Sequence, residues 1–321
     1  DVEHVAMCIN TLSALMSAFT ILFLFWTISL LARKVILPKE NNQFSLAQTI
    51  AILGASMVGA LVYTFSDTFW FSAVEAEVYA SSSFFTAIVF WAILKWDEEH
   101  DQPFANRWIL LIAYLCGLSI GVHLLNLLAI PAIVLVYYYR KSTNPDWKGM
   151  LFALGISFGF IVAIMYGFIP GIMAVAEKIE LLFVNTLGFS FNSGLIFFII
   201  LLTVSLIWTI YETYVQTNRT RVNISFLLSM FLMGITSLTG NLWIGIILSI
   251  VLGVGLFAFK RININILHVF ALAMAMIAIG FSSYALIVVR SIANPPMDQN
   301  SPENVFTLAS YLGREQYGDR P

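Results

Sequence analysis

One stretch concentrates side chains that could do chemistry. It runs Ser66-Asp-Thr-Phe-Trp-Phe-Ser-Ala-Val-Glu-Ala-Glu-Val-Tyr79 and sets Asp67, Glu75 and Glu77 among Phe69, Trp70, Phe71 and Tyr79. A carboxylate beside an apolar wall can act as a general base toward a substrate hydroxyl. A pair such as Glu75 and Glu77 could also hold a hard divalent cation through oxygen ligands. In a helix Glu75 and Tyr79 would share a face while Glu75 and Glu77 point apart; in an extended segment the two glutamates would share a face. The plainer alternative is an interfacial loop with an aromatic belt and solvated acids, in which Asp67 is a cap or turn residue.

Two further groups stand out. His123 and Asn126 lie in Gly117-Leu-Ser-Ile-Gly-Val-His-Leu-Leu-Asn126. They could bind a phosphate or position a substrate hydroxyl; the alternative is a hydrogen-bonded histidine at a helix turn. Gly117 and Gly121 form a small-xxx-small pair that reads better as helix packing. Arg290 precedes Asn294-Pro-Pro-Met-Asp298, with Arg314, Tyr317 and Arg320 beyond. A guanidinium at the membrane surface makes planar, bidentate contacts to phosphate oxygens, or it snorkels as a plain anchor.

The elements that must position these residues are membrane helices. Of the 321 residues 60% are hydrophobic and 11% charged, and mean hydropathy is +0.87. A soluble domain carries about 45–50% apolar and about 25% charged residues, so that class is excluded, and disorder is excluded with it. The 16 Lys and Arg against 18 Asp and Glu leave no basic excess for nucleic acid. Two cysteines, Cys8 and Cys116, both in apolar runs, rule out a disulfide framework or a cysteine zinc site.

A span needs about 20 mostly apolar residues. The pattern predicts an all-α, polytopic bundle of about ten spans: Cys8–Leu31, Leu46–Phe65, Tyr79–Leu94, two within Trp108–Tyr139 meeting near Gly121-Val122-His123, Met150–Ile169, Leu195–Tyr211, Ile224–Leu238, Trp243–Phe259 and Ile264–Val289. Thr239-Gly240-Asn241 is a turn signal between the eighth and ninth. Residues 1–289 thus form a transmembrane domain, with an outer acidic loop at 66–78 and an outer interfacial, amphipathic segment at 170–193. Residues 290–321 form a polar extracytoplasmic tail that starts a following region.

Orientation follows the positive-inside rule. Alternation puts Arg33, Lys34, Lys39, Lys95, Arg107, Arg140, Lys141, Lys148, Arg219, Arg221, Lys260 and Arg261 on one side. Lys178, Arg290, Arg314 and Arg320 fall on the other, which completes the 16. Both ends of the chain are therefore expected outside, and Asp67, Glu75, Glu77, His123 and Arg290 with them. The chain opens on Asp1 without a signal-peptide pattern and stops on Gly318-Asp-Arg-Pro321, which reads as a piece of a longer protein.

Asp, Glu, Lys and Arg are missing from the span interiors; only His123 and His268 intrude, and Glu212 sits at an inner end. Intramembrane charge usually marks ion pathways, so its scarcity weakens an ion-coupled transporter and moves attention to the outer loops.

The runs Asp67–Tyr79, Leu118–Asn126 and Asn294-Pro-Pro-Met-Asp-Gln-Asn-Ser-Pro-Glu-Asn304 together resemble a known family. The chain is similar, over essentially its whole length, to the membrane core of a large bacterial family formerly of unknown function. That family is related to the transmembrane-type protein O-mannosyltransferases, within the GT-C glycosyltransferases. The resemblance implies a multi-span fold with an active site on the extracytoplasmic face of the bacterial inner membrane. It implies a sugar donor carried on a polyprenyl phosphate, a protein or other acceptor, and an acid in the first outer loop as catalytic base, supported by acids in the next. Family members carry an extra span and acidic loop before this region, so Asp67, Glu75 and Glu77 would form the second acidic loop, assisting the base or holding metal. His123, Asn126, Tyr79 and Arg290 would bind substrate. No cofactor is required by the pattern, although a divalent metal ion would be compatible with it. The alternatives are a transporter or flippase of lipid-linked intermediates, which calls for a polar path through the spans, and a structural subunit of an envelope assembly, which calls for dispensable acids.

Overall fold

The computed structural model describes residues 4–36, 44–258 and 263–318, and every regular element among them is helical. Lys39, Lys260, Arg261 and Arg320, used above for orientation, lie outside the described residues. Seven helices are long and apolar enough to cross a membrane. The expected spans that fall short of that length coincide with the apolar helices Arg107–Ile120 and Leu242–Ala258 and with Arg219–Leu232. The protein is a polytopic, all-α membrane protein. It divides into two compact units, Asp1–Leu154 and Gly155–Pro321.

In the first unit α1 (Val5–Ile36) packs along α2 (Leu46–Thr64) and α4 (Val78–Glu99). Helix α2 starts on a capping box: the Ser45 hydroxyl accepts the Gln48 N–H and the Gln48 side chain accepts the Ser45 N–H. These bonds satisfy amides that a helix start leaves without partners. Ser29 donates to Ser56 at 2.8 Å, a hydroxyl pair of the kind that joins helices in lipid. Helix α4 buries Phe85, Val89, Ala92, Ile93 and Trp96, a stripe at helical spacing. That stripe meets Ile112, Leu115 and Cys116 of α5 (Arg107–Ile120) and Ala129 beyond it. The break expected at Gly121-Val122-His123 is present. Helix α5 stops at Ile120, a 3-10 turn covers Leu124–Ala129, and α6 (Ile130–Lys141) follows with Pro131 in its first turn, where a missing N–H costs nothing.

The second unit begins within α7 (Trp147–Val162). Here the structure corrects an expectation. The segment after Ile169 does not open a separate helix: a π-turn at Ala163–Phe168 leads directly into α8 (Ile169–Leu181), and the helical run extends from Trp147 to Thr186. Pro170 sits in the first turn of α8, next to backbone already loosened by the π-turn, so it continues the run instead of ending it. Glu180 is buried and its carboxylate accepts the N–H groups of Asn192 (2.5 Å) and Leu195 (2.8 Å), which caps α9 (Ser193–Val215). An anion at that positive helix end is stabilising.

The expected Ile224–Leu238 span is likewise displaced. Helix α10 runs Arg219–Leu232, started by the Asn218 side chain, and the turn after it already begins at Gly234. Buried hydroxyls of Ser205 and Thr209 bond Ser229 across α9 and α10. Thr213 reaches His268 of α12 (Ile264–Phe281) at 2.9 Å. His268 is thereby a packing residue. Helices α11 (Leu242–Ala258), α13 (Ala285–Ile292) and α14 (Val305–Gly313) complete this unit.

Candidate functional site

The acidic segment 66–78 opens on a short helix. Asp67–Val74 forms a helix, α3, with Asp67 in its first turn. Its one buried residue, Phe69, lies against Tyr63 with ring centroids 4.4 Å apart, while Phe65 stacks on Trp70 at 6.1 Å. Apolar anchoring of this kind fixes α3 although it is only eight residues long and below the length at which a helix holds alone.

Glu75 ends α3 and Glu77 begins α4, both with extended backbone. Between them the Glu77 N–H donates to the Glu75 carbonyl at 2.9 Å, a tight three-residue turn about Ala76. Neither a continuous helix nor a straight strand describes the pair, because the turn places the two glutamates at facing ends of consecutive helices. Asp67, Glu75 and Glu77 are exposed, and among the described residues none of their carboxylates has a hydrogen-bond or ion-pair partner. At a membrane-protein helix end that is where a proton acceptor can work, since no cation holds the lone pairs.

Tyr79, in the first turn of α4, brings the second group to this end. Its ring is 6.0 Å from that of His123, centroid to centroid. His123 caps the 3-10 turn: its Nδ1 accepts the Leu125 N–H at 3.1 Å, and its backbone N–H donates to the Ser119 carbonyl at 2.7 Å. With Nδ1 engaged as acceptor, the neutral ring carries its proton on Nε2. The free nitrogen is therefore a donor. His123 is suited to bonding a phosphate or sugar oxygen, not to removing a proton.

Asn126 lies deeper than His123. It is fully buried, and its Nδ2 donates to Ser119 Oγ at 3.1 Å, while Ser119 Oγ donates to the Cys116 carbonyl. It ties the His123 turn to α5 and does not reach the surface. Replacing it with alanine should lower the thermal midpoint of the intact chain and cost about 1–3 kcal/mol, the usual range for a lost buried polar partner, which a thermal melt in lipid nanodiscs would read.

Under α3 lies a cavity of about 250 Å³ lined mainly by Ala14, Ser17, Ala18, Thr64, Phe69 and Ala73. It is apolar apart from two hydroxyls, and Ser17 Oγ in it is buried without a partner. Metal binding fits the residues poorly. Among the described residues no group of three or more His, Cys, Asp and Glu comes together, so Glu75 and Glu77 could supply only part of a coordination shell that takes six to eight oxygens for calcium.

Arg290 belongs to the second unit, exposed in the last turn of α13. Beyond it Ser291 donates to Asp298 at 2.7 Å, which folds back the Asn294-Pro-Pro-Met segment.

Residues 1–146 match a family described as the N-terminal domain of the protein O-mannosyl-transferase TMEM260. The match covers less than half of the 321 residues, not the whole length expected, and nearly all of the first unit. It includes Asp67, Glu75, Glu77, Tyr79, His123 and Asn126 but not Arg290. No curated protein and no solved structure matches the chain.

Proposed function

We propose that the chain is part of an integral-membrane glycosyltransferase of GT-C type. In this reading it moves a sugar from a polyprenyl-phosphate donor to a hydroxyl of a protein or other acceptor on the extracytoplasmic face, with the bacterial inner membrane as its setting. The observation that carries the reading is the turn holding two unpartnered carboxylates, Glu75 and Glu77, at the start of the helix whose Tyr79 ring lies 6.0 Å from that of His123, within residues similar to a protein O-mannosyltransferase.

The chemistry follows from the groups present. The acceptor oxygen attacks the anomeric carbon while Glu75 or Glu77 takes its proton, with Asp67 as the next candidate. The bond from that carbon to the phosphate oxygen breaks with inversion, and polyprenyl phosphate leaves. His123 Nε2–H donates to an oxygen of the donor as charge builds on the phosphate. The apolar cavity under α3 gives the first isoprene units a seat beside the acidic turn. Arg290 stays a candidate for a lipid phosphate on residue type alone.

The test is transfer of labelled sugar from polyprenyl phosphate in membranes holding the full-length parent. Wild type should transfer and vector controls should not; no transfer with any donor offered would remove the support for an enzyme. His123→Asn separates two roles of the histidine. An Asn side chain at 123 can still accept the Leu125 N–H but has lost the Nε2 donor. Transfer should fall about 10- to 100-fold, the worth of a hydrogen bond to a charged group, with the melting midpoint kept. His123→Ala should lose both. Full activity in His123→Asn would reduce His123 to a turn residue.

A further inference from the structure

Helix α4 carries a second charged site at its other end. With 22 residues it is about 33 Å long at 1.5 Å per residue, close to the thickness of a bilayer's hydrocarbon core. Asp97, in its last turn, is buried. Lys34 of α1 and Arg140 of α6 both converge on it; Arg140 does so bidentately, with Nε on Oδ1 and Nη2 on Oδ2. Two cations on one carboxylate leave one positive charge over. Around them Arg33, Lys95 and Arg107 are matched to Glu98 and Glu99, again with cations in excess.

A cavity of about 370 Å³ opens on this cluster, lined by Asp97, Leu135, Val136, Tyr139 and Arg140. On α6, 135, 136, 139 and 140 form one face, one turn above the next. Leu135 and Val136 lie a turn deeper toward the middle of the helix; Tyr139 and Arg140 are near its end. The cavity is therefore polar where a headgroup lies and aliphatic where acyl chains begin. Arg140 is 41% exposed in its side chain, and among the described residues its Nη1 has no protein partner. Basic pockets between membrane helices bind anionic headgroups in this way.

We propose that this cavity binds the phosphate of one anionic phospholipid, with Arg140 as its ligand and Asp97 as the group that aims Arg140 and moderates its charge. The site lies at the opposite end of α4 from the acidic turn, and its readout is binding, so it stands or falls apart from the transferase reading.

The experiment is native mass spectrometry of the intact chain released from nanodiscs of mixed phosphatidylglycerol and phosphatidylcholine. Wild type should retain one phosphatidylglycerol in preference to phosphatidylcholine. Arg140→Gln should weaken retention about tenfold, the factor for one charge-assisted hydrogen bond. Asp97→Asn should instead strengthen it, because the carboxylate no longer competes for the guanidinium. The double variant Asp97→Asn with Arg140→Gln leaves neither a carboxylate without its guanidinium nor the reverse, and so guards against misfolding; it should bind as weakly as Arg140→Gln. Equal retention of both lipids by wild type, unchanged retention in the double variant, or weaker retention in Asp97→Asn would each overturn the proposal. Displacement of the lipid by millimolar glycerol phosphate would also overturn it, and would assign the site to a soluble phosphate.

Discussion

Replacing Glu75 and Glu77 together by glutamine is expected to lower sugar transfer by a factor of about 10² to 10⁴, the contribution of a positioned general base. The fold should not register the change. Both side chains are exposed and make no bond among the described residues, and surface changes away from special features stay within about 0.5 kcal/mol. Matched expression and an unchanged melt are thus expected in the same samples that lose activity. The single variants then divide the labour. If one glutamate is the base, its own glutamine variant shows nearly the whole loss and the second adds little, because groups acting as a unit are not additive. Asp67→Asn should behave differently. Asp67 lies in the first turn of α3, where a negative charge adds a few tenths to 1 kcal/mol of helix stability, so a slight fall in melting with transfer kept is the expected pattern. Full transfer in the double variant would refute the assignment of the acidic turn. Loss confined to Asp67→Asn would move the base to the start of α3.

The positions of the helices were legible in the sequence because lipid allows only one pattern: about 20 apolar residues, bounded by charge or by a turn. The break at Gly121–His123 was legible for the same reason, since Trp108–Tyr139 is too long for one span and Gly121 with His123 lies near its middle. What the sequence left open it left open for local reasons. Pro170 signals a stop in sequence, but the π-turn before it puts it at a helix start, where it is tolerated. The acidic run admits a helix or an extended segment in sequence, since eight residues are too few to settle the matter by propensity; burial of Phe69 accompanies the helix that forms. Asn126 reads as a site residue because a polar side chain in an apolar run invites it, yet its partner, Ser119, is seven residues away across the break. The Asp97 cluster was out of reach altogether: Lys34 and Arg140 are 63 and 43 residues from it in sequence, and nothing in the spacing pairs them.

Gly234→Ala is expected to have the largest effect on stability. Gly234 adopts φ of +71°, and a methyl group there would sit 2.1 Å from the carbonyl carbon of Gly171 and 2.2 Å from the nitrogen of Ile172. The contact is mutual, for a methyl on Gly171 would meet the Gly234 carbonyl oxygen at 2.2 Å. Both obstacles are backbone, so no side chain can turn aside. A left-handed conformation costs a residue with a Cβ about 1–2 kcal/mol, and forced overpacking adds about 1–3 kcal/mol. The sum is about 2–5 kcal/mol, which corresponds to a midpoint lowered by about 5–15 °C for a unit of this size. Gly171→Ala should share the clash term but not the conformational one, since its φ is not left-handed, and so fall between Gly234→Ala and wild type. Gly155→Ala is the control. It lies in α7 with open space around the added methyl, and alanine in a helix interior is favoured over glycine by about 0.5–1 kcal/mol, so its midpoint should rise. Thermal melts of the three variants in one nanodisc preparation would order them. If Gly234→Ala melts with wild type, the close approach of α8 to the turn after α10 does not hold the second unit together.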